Sequence, residues 1–389
     1  MFRIGEYFIQ LTMVFFRVIL RKRRSVVFRS FTGKSYSDNP RAISEALHDL
    51  DPSVEIVWLF KDPIRKKRIV PEYVKCVKHA SLAGLKELAR SAVWVDNFGK
   101  QRWIFKSKRQ YYIQTWHGDR GFKKILYDLP EHSRDNRVVE SRMCDLIVTG
   151  STFGEKLYRT AMNYTGSYLP VGCPRNDVLL NPCIQTQRMV RDTYDLEGKH
   201  FLLYAPTFRR ASLSSGRVQK IQDLDLLQVL EHLEDRTGTP WICGVRGHSA
   251  SGGLSDFPIT DKIVDLSDYE DMADLLQVTD LLLTDYSSSA TDFILTDKPV
   301  ILYQSDYDEY VARYRELYHA MEETGFLVAR SQEELVKYVD EIPLKKCDHS
   351  HIREFYGLYE TGNAAQRTAR TIVRELEARG FGGISSNRG

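Results

Sequence analysis

At 389 residues the chain has room for two domains of ordinary size, each with its own core. Its 42% hydrophobic and 28% charged residues describe a soluble folded protein and exclude both a disordered chain and one embedded in a bilayer. The net charge of +3 hides an asymmetry: residues 1–125 hold 26 Lys/Arg against 11 Asp/Glu, the remainder 29 against 41, so the basic N-terminal part points to an anionic surface or polymer. Nucleic acid is not an expected partner, because no nucleic-acid-binding motif is present. Six cysteines without a CxxC pair or regular spacing fit a reduced, cytosolic setting.

Residues 1–24 come first. Ile4, Phe8, Leu11, Phe15 and Val18/Ile19 recur at helical spacing, and Arg21, Lys22, Arg23 and Arg24 follow. Gln10, Thr12 and Arg17 interrupt the apolar stretch, which is too short and polar to span a bilayer. The basic cluster follows the apolar part, the reverse of a secretory signal. The pattern predicts a helix lying in a membrane interface, with Phe8 and Phe15 buried in lipid and residues 21–24 on anionic headgroups. A helix packed on the protein body is the competing expectation.

From Ser25 strands and helices alternate. Strands are predicted over Val26–Phe31, Glu55–Phe60, Ala92–Val95, Tyr111–Thr115 and Asp145–Thr149, and helices over Arg41–Leu50, Leu82–Arg90 and Phe153–Met162. This βαβ series implies a parallel sheet in a first domain over residues 25–180. Basic runs Lys61–Lys78 and Lys100–Arg109 add to the charge. His117 follows the strand ending at Gln114-Thr115, with Trp116 and Gly118 beside it and Lys123 and Lys124 beyond. A histidine at a strand's carboxyl end near lysines is placed for proton transfer beside an anion, although a structural histidine would look the same.

Asn181-Pro182 and the polar helix after it read as an interdomain connection. A second α/β domain is expected over residues 195–360. Its strands are Phe201–Ala205, Trp241–Val245, Ile263–Asp265, Leu281–Leu283 and Val300–Tyr303, with helices at Asp223–Leu233, Asp271–Gln277 and Gln332–Val339. Three polar turns follow strands on the same sheet edge: Thr207 to Arg209, His248, and Asp285 with Ser287, Ser288 and Ser289. The last reads as a hydroxyl-rich helix start, either a cap alone or an anion site using free N–H groups and the helix dipole. Ligands of open α/β sheets bind at that edge. A terminal helix is expected within 361–378 and a disordered tail at 380–389. His349-Ser350-His351 reads as a surface loop.

Taken together, QTWHG with a following lysine, PRND, YAPTFR, the histidine after the Trp241–Val245 strand, and LLTDYSSSATDF leading to KPVILY resemble the CDP-glycerol glycerophosphotransferases of teichoic acid synthesis. The resemblance covers most of residues 110–370. It implies α/β GT-B architecture, two Rossmann-like domains facing across a cleft, with acceptor in the first and CDP donor in the second. The implied reaction transfers a polyol phosphate from CDP-glycerol or CDP-ribitol to a hydroxyl of a lipid-linked saccharide or polyol-phosphate acceptor, releasing CMP.

His117 would then be the base toward the acceptor hydroxyl, with Trp116, Gly118 and Lys123 on the acceptor side. His248 would be the second catalytic histidine, and Thr207, Arg209, Asp285, Ser287 and Ser288 would hold the donor phosphates. No metal site and no cofactor are expected. The setting would be peripheral, on the cytoplasmic face of the cell membrane, and the compact N-terminal region would suit a single-module enzyme. Where the family continues HG-T-P-L-K, this chain has Gly118-Asp119-Arg120-Gly121-Phe122-Lys123. Two other functions fit the fold pattern: a GT-B glycosyltransferase using a nucleotide sugar, and a non-catalytic, membrane-bound protein that binds polyanions.

Overall fold

The computed structural model describes residues 4–101, 104–130, 140–207, 223–247 and 259–382. These form two compact units. The first takes the chain up to Asp119, then Leu126–Asp177 and the part from Leu358 on; the second takes Arg120–Ile125 and Val178–Gly357.

The first unit is built on a seven-stranded parallel sheet: β1 (Arg23–Arg29), β2 (Glu55–Phe60), β3 (Lys75–Lys78), β4 (Ser91–Asp96), β5 (Tyr111–Gln114), β6 (Leu146–Thr149) and β7 (Ser167–Pro170), in the order β3-β2-β1-β4-β5-β6-β7. Its central strands are buried along nearly their whole length, as unbroken apolar runs such as Ile56–Phe60 require when helices cover both faces. One face packs Val26, Phe28 and Trp58 against Ile43 and Leu47 of the helix Asp38–Leu50 and against Ala369, Ile372 and Leu376 of the last helix, Ala364–Ala378. The other packs Val27, Val57 and Trp94 against Leu85 and Leu88 of the helix Leu82–Arg90 and against Met13.

The second unit has six parallel strands: β8 (His200–Ala205), β9 (Trp241–Val245), β10 (Ile263–Asp265), β11 (Leu281–Thr284), β12 (Val300–Tyr303) and β13 (Leu327–Ala329), in the order β10-β9-β8-β11-β12-β13. In each sheet the order reverses beside its first strand, between β1 and β4 and between β8 and β11. The crevice at such a reversal is where doubly wound sheets take ligands.

Several expectations change. The helix Ile184–Thr193 is part of the second unit, not a connection: Cys183 N donates to Gln277 Oε1 at 2.8 Å and Gln187 Nε2 to the Gln277 carbonyl at 3.2 Å. The terminal helix forms as expected, over Ala364–Ala378, and contributes Ala369, Ile372 and Leu376 to the core of the first unit. His349 starts the helix Ser350–Tyr356 and bonds the Lys298 carbonyl at 2.9 Å, so that stretch is not a surface loop.

The helix Ile4–Ile19 meets the competing expectation on one side, where it packs on the body of the protein. Ile9, Met13 and Phe16 pack on the first unit, while Phe8 (66% exposed), Leu11, Phe15 (58%) and Val18 form a second stripe open to solvent. The basic cluster after it is largely structural. Arg23 and Arg24 belong to β1; Arg24 bonds Asp51 and the Phe381 carbonyl, and Arg23 pairs with Glu55 at 3.6 Å. Lys22 donates to the Ala89 carbonyl, and burial, with Arg17 and Arg109 nearby, pulls its ammonium down to about 8. Arg21 alone of the four is left exposed without such a tie among the described residues. No described helix is long and apolar enough to cross a membrane.

Candidate functional site

In the first unit the site grows from the carboxyl ends of β1, β4 and β5. The Gln114 side chain turns the chain at the end of β5: its Oε1 accepts from Thr115 N at 3.1 Å and Trp116 N at 2.9 Å. Trp116 is held at φ 49°, a region costly for a bulky side chain, and Asn39 Nδ2 fixes its carbonyl at 3.1 Å. The turn thereby presents His117, half-buried between rings. Phe98 stacks on it at 5.4 Å and 12°, Phe31 meets it edge-on at 5.4 Å, and Trp116 lies at 4.6 Å.

His117 Nδ1 lies 2.7 Å from the Asn97 carbonyl. A carbonyl only accepts, so Nδ1 carries the hydrogen, and in the neutral ring Nε2 is the basic atom. The same bond steadies the imidazolium once a proton is taken, the role an orienting acceptor plays in hydrolytic triads.

The Asn97 loop is itself fixed from below. Phe31 N donates to Asn97 Oδ1 at 2.8 Å, and Asn97 Nδ2 to Ser30 Oγ at 3.1 Å. Arg29, fully buried, pairs with Asp96 at 2.8 Å and donates to the Gly99 carbonyl at 3.1 Å. Lys100 pairs with the other oxygen of Asp96, and burial lowers its ammonium to about 8. Phe31 and Thr32 both hold positive φ, 43° and 58°. Strain gathered in one loop beside a histidine suits a site whose geometry is imposed by its surroundings.

PRND serves this loop as scaffold. Arg175 N donates to Asn39 Oδ1 at 3.0 Å, the same Asn39 that holds Trp116, and the Arg175 side chain pairs with Asp38 at 3.5 Å. Asn176 bonds Glu360 at 3.0 Å, while Asp177 caps the last helix through Ala364 N and Ala365 N at 2.9 and 2.8 Å. Asp119 closes the turn, accepting from Ser151 Oγ at 2.6 Å and Thr149 Oγ1 at 2.9 Å. Gly154 has to be glycine there, because a Cβ would lie 2.1 Å from Asp119 Oδ1.

In the second unit the turns after β8 and β11 are stitched together at the sheet reversal. Asp285, fully buried, accepts from Thr207 N at 2.8 Å and from Tyr286 N at 2.5 Å, and its carbonyl accepts from Gln304 Nε2 at 2.9 Å. Its carboxylate orders the turns and is not presented as a ligand. Ser287 Oγ takes Ser289 N at 3.3 Å and Ser289 Oγ at 3.0 Å, and Ser288 makes no side-chain cap. The helix that follows, Ser289–Phe293, has five residues, so the expected macrodipole contribution is small. What remains at this turn is a set of short-range hydroxyl and N–H donors.

Lys123 is placed differently from its expectation. It belongs to the second unit, where its Nζ lies 3.5 Å from Thr207 Oγ1, and not to the unit that holds His117. Trp116 and Gly118 stay with His117 in the first unit. Arg209 and His248 lie outside the described residues; the strands preceding them, β8 and β9, are parallel neighbours ending on the same sheet edge as β11. Among the described residues no group of three or more His, Cys, Asp or Glu side chains is arranged to hold a metal ion.

Residues 11–374 match the family model described as CDP-Glycerol:Poly(glycerophosphate) glycerophosphotransferase. The chain belongs to this family. It is 29% identical to the teichoic acid poly(glycerol phosphate) polymerase of Bacillus subtilis (strain 168), over 91% of this chain and 49% of that protein. It is also 29% identical to the teichoic acid glycerol-phosphate transferase of Staphylococcus aureus (strain NCTC 8325 / PS 47), over 91% and 94%. The chain thus spans about half the length of the Bacillus relative and nearly all of the Staphylococcus one. A solved structure of the wall teichoic acid polymerase TagF superposes with a TM-score of 0.81 at 25% identity, covering 97% of this chain and 100% of that one. The expected class, GT-B with two Rossmann-like parallel-sheet units, holds.

Within this glycerophosphotransferase fold, sequence reasoning missed the residues that aim His117. Asn97, Phe98, Phe31 and Asn39 lie 20, 19, 86 and 78 positions away in the chain. A signal was present for two of them: Asn97 and Phe98 directly follow a buried strand, as His117 does, and residues just past parallel strands of one sheet share an edge.

Proposed function

We propose that this chain transfers a polyol phosphate, glycerol phosphate first, from a CDP-activated donor to a hydroxyl of a membrane-associated acceptor, releasing CMP, in teichoic acid or related polymer synthesis. The observation that carries this is the His117 Nδ1 bond to the Asn97 carbonyl, which leaves Nε2 as a fixed base among three rings. Nε2 takes the acceptor's hydroxyl proton. The acceptor oxygen then bonds to the phosphorus bearing the polyol, and the bond from that phosphorus to the bridging oxygen breaks, CMP leaving with the electron pair. Thr207, Ser287 and Ser288, with Arg209 and His248 as the family resemblance implies, meet the charge that gathers on CMP.

The test is to incubate the full chain with CDP-glycerol or CDP-ribitol over a panel of lipid-linked acceptors and measure CMP. Release with CDP-glycerol that depends on acceptor is expected. Transfer from a nucleotide sugar with no release from either CDP-polyol would put the chain among glycosyltransferases.

The exposed stripe Phe8, Leu11, Phe15 and Val18 supports a second part of the reading, contact with the cytoplasmic face of the cell membrane. Burying four such side chains stabilises binding by roughly 1.5–3 kcal/mol each at full burial, and exposed basic residues add attraction to anionic lipid. The double variant Phe8→Asp/Phe15→Asp should cosediment with phosphatidylglycerol vesicles several-fold less than wild type. Equal cosedimentation would show that the stripe does not meet lipid.

A further inference from the structure

The residues that follow His117 do not stay in its unit. Arg120–Ile125 forms a strap belonging to the second unit, although the chain on both sides belongs to the first. Its attachment is extensive for six residues. Arg120 Nη2 bonds Asp292 Oδ1 at 2.6 Å with the arginine side chain fully buried, and the Arg120 carbonyl accepts from Thr291 Oγ1 at 3.4 Å. Phe122, also fully buried, meets His319 and Phe326 edge-on at 6.3 and 5.8 Å. The backbone pairs antiparallel with Glu316–Tyr318: Tyr318 N donates to the Phe122 carbonyl at 2.8 Å and Lys124 N to the Glu316 carbonyl at 2.9 Å.

Side chains alternate along such an extended segment. Phe122 goes into the core and Lys124 pairs with Glu316 at 2.7 Å. Between them Lys123 reaches Thr207, whose N–H is held by Asp285 at the β8–β11 reversal. Its backbone is pinned on both sides, so less chain entropy is lost when the ammonium engages a ligand. An ammonium beside a hydroxyl and a turn of N–H and O–H donors matches the oxygens of a diphosphate.

We propose that Lys123 is a ligand of the donor's diphosphate, carried by the strap into the second unit. The inference rests on the CDP-dependent reaction proposed above and adds a cation to its donor side. Lys123 shares the charge that the leaving CMP acquires. Base and cation thus stand six residues apart in one continuous stretch, the base on the first unit and the cation on the second.

The experiment compares wild type, Lys123→Ala, Lys123→Met and Lys123→Arg as full chains, with CDP as the calorimetric probe and CMP release from CDP-glycerol as the kinetic readout. Lys123→Ala is expected to weaken CDP binding roughly ten- to a hundredfold and to raise KM for CDP-glycerol while leaving KM for the acceptor unchanged. Lys123→Arg should recover most of the affinity. If the alanine variant has a lower melting temperature, Lys123→Met, which keeps the apolar stem, takes its place and should show the same loss. Unchanged CDP affinity in both neutral variants, or a rise confined to acceptor KM, overturns the assignment while the reaction stands. Wild type that neither binds CDP nor releases CMP overturns the reaction itself.

Discussion

Replacing His117 by alanine is expected to lower kcat for CMP release by roughly 10²–10⁴-fold, the usual contribution of a positioned general base. The affinity for CDP should be unchanged, because His117 belongs to the first unit and the turns proposed to hold the donor belong to the second. The fold should survive as well. His117 is half-buried at the end of β5, and its neighbours Trp116 and Asp119 are held by Gln114, Asn39, Ser151 and Thr149 independently of the imidazole. Kinetics read against calorimetry and circular dichroism separate the cases. Full turnover in His117→Ala would remove the base from the mechanism, and lost CDP binding would mean that His117 supports the donor turns instead.

The second large effect is one of stability. Arg120→Ala leaves Asp292 in a site where its side chain is 8% exposed, with its guanidinium partner gone. Breaking a buried pair by removing one member costs about 3–5 kcal/mol. The expected result is a shift of the unfolding midpoint in guanidinium by that amount, accompanied by lost turnover. Arg120→Met/Asp292→Leu should recover most of the stability, since an apolar pair of similar volume is often neutral or better in a buried site. A loss below about 0.5 kcal/mol for Arg120→Ala, the range of ordinary surface substitutions, would show that the strap is held by Phe122 and its backbone pairing alone.

The strands that carry both sheets were legible wherever burial on two faces forces an apolar run, as in Ile56–Phe60, Leu202–Ala205 and Leu281–Leu283. β3, β7 and β13 were not, because they lie at or near sheet edges and are only partly buried, so Lys75–Lys78 and Ser167–Pro170 carry charges and turn residues in place of a run. His117 was legible from its place after a strand, and its aim was not, because Asn97 and Phe31 reach it through sheet order. Lys123 was misplaced for a similar reason. Phe122–Lys124 pair with Glu316–Tyr318, nearly two hundred positions on, and local spacing does not record such a partner. The Arg21–Arg24 cluster read as a lipid-facing charge, yet two of its members are the first residues of β1.

The chain passes from one unit to the other four times, after Asp119, Ile125, Asp177 and Gly357. Domains usually fold in order as they leave the ribosome, the N-terminal one first. Here that order is broken, because the first unit needs the helix Ala364–Ala378 to cover Ile43, Leu47 and Val54. Until residues 364–378 emerge, the side of that apolar cluster facing away from the sheet lacks the helix that covers it. A nascent chain stalled near residue 180 should therefore hold an unfinished core and recruit chaperones, and a genetic split at the same point should yield a first half that becomes soluble only when the second is made with it.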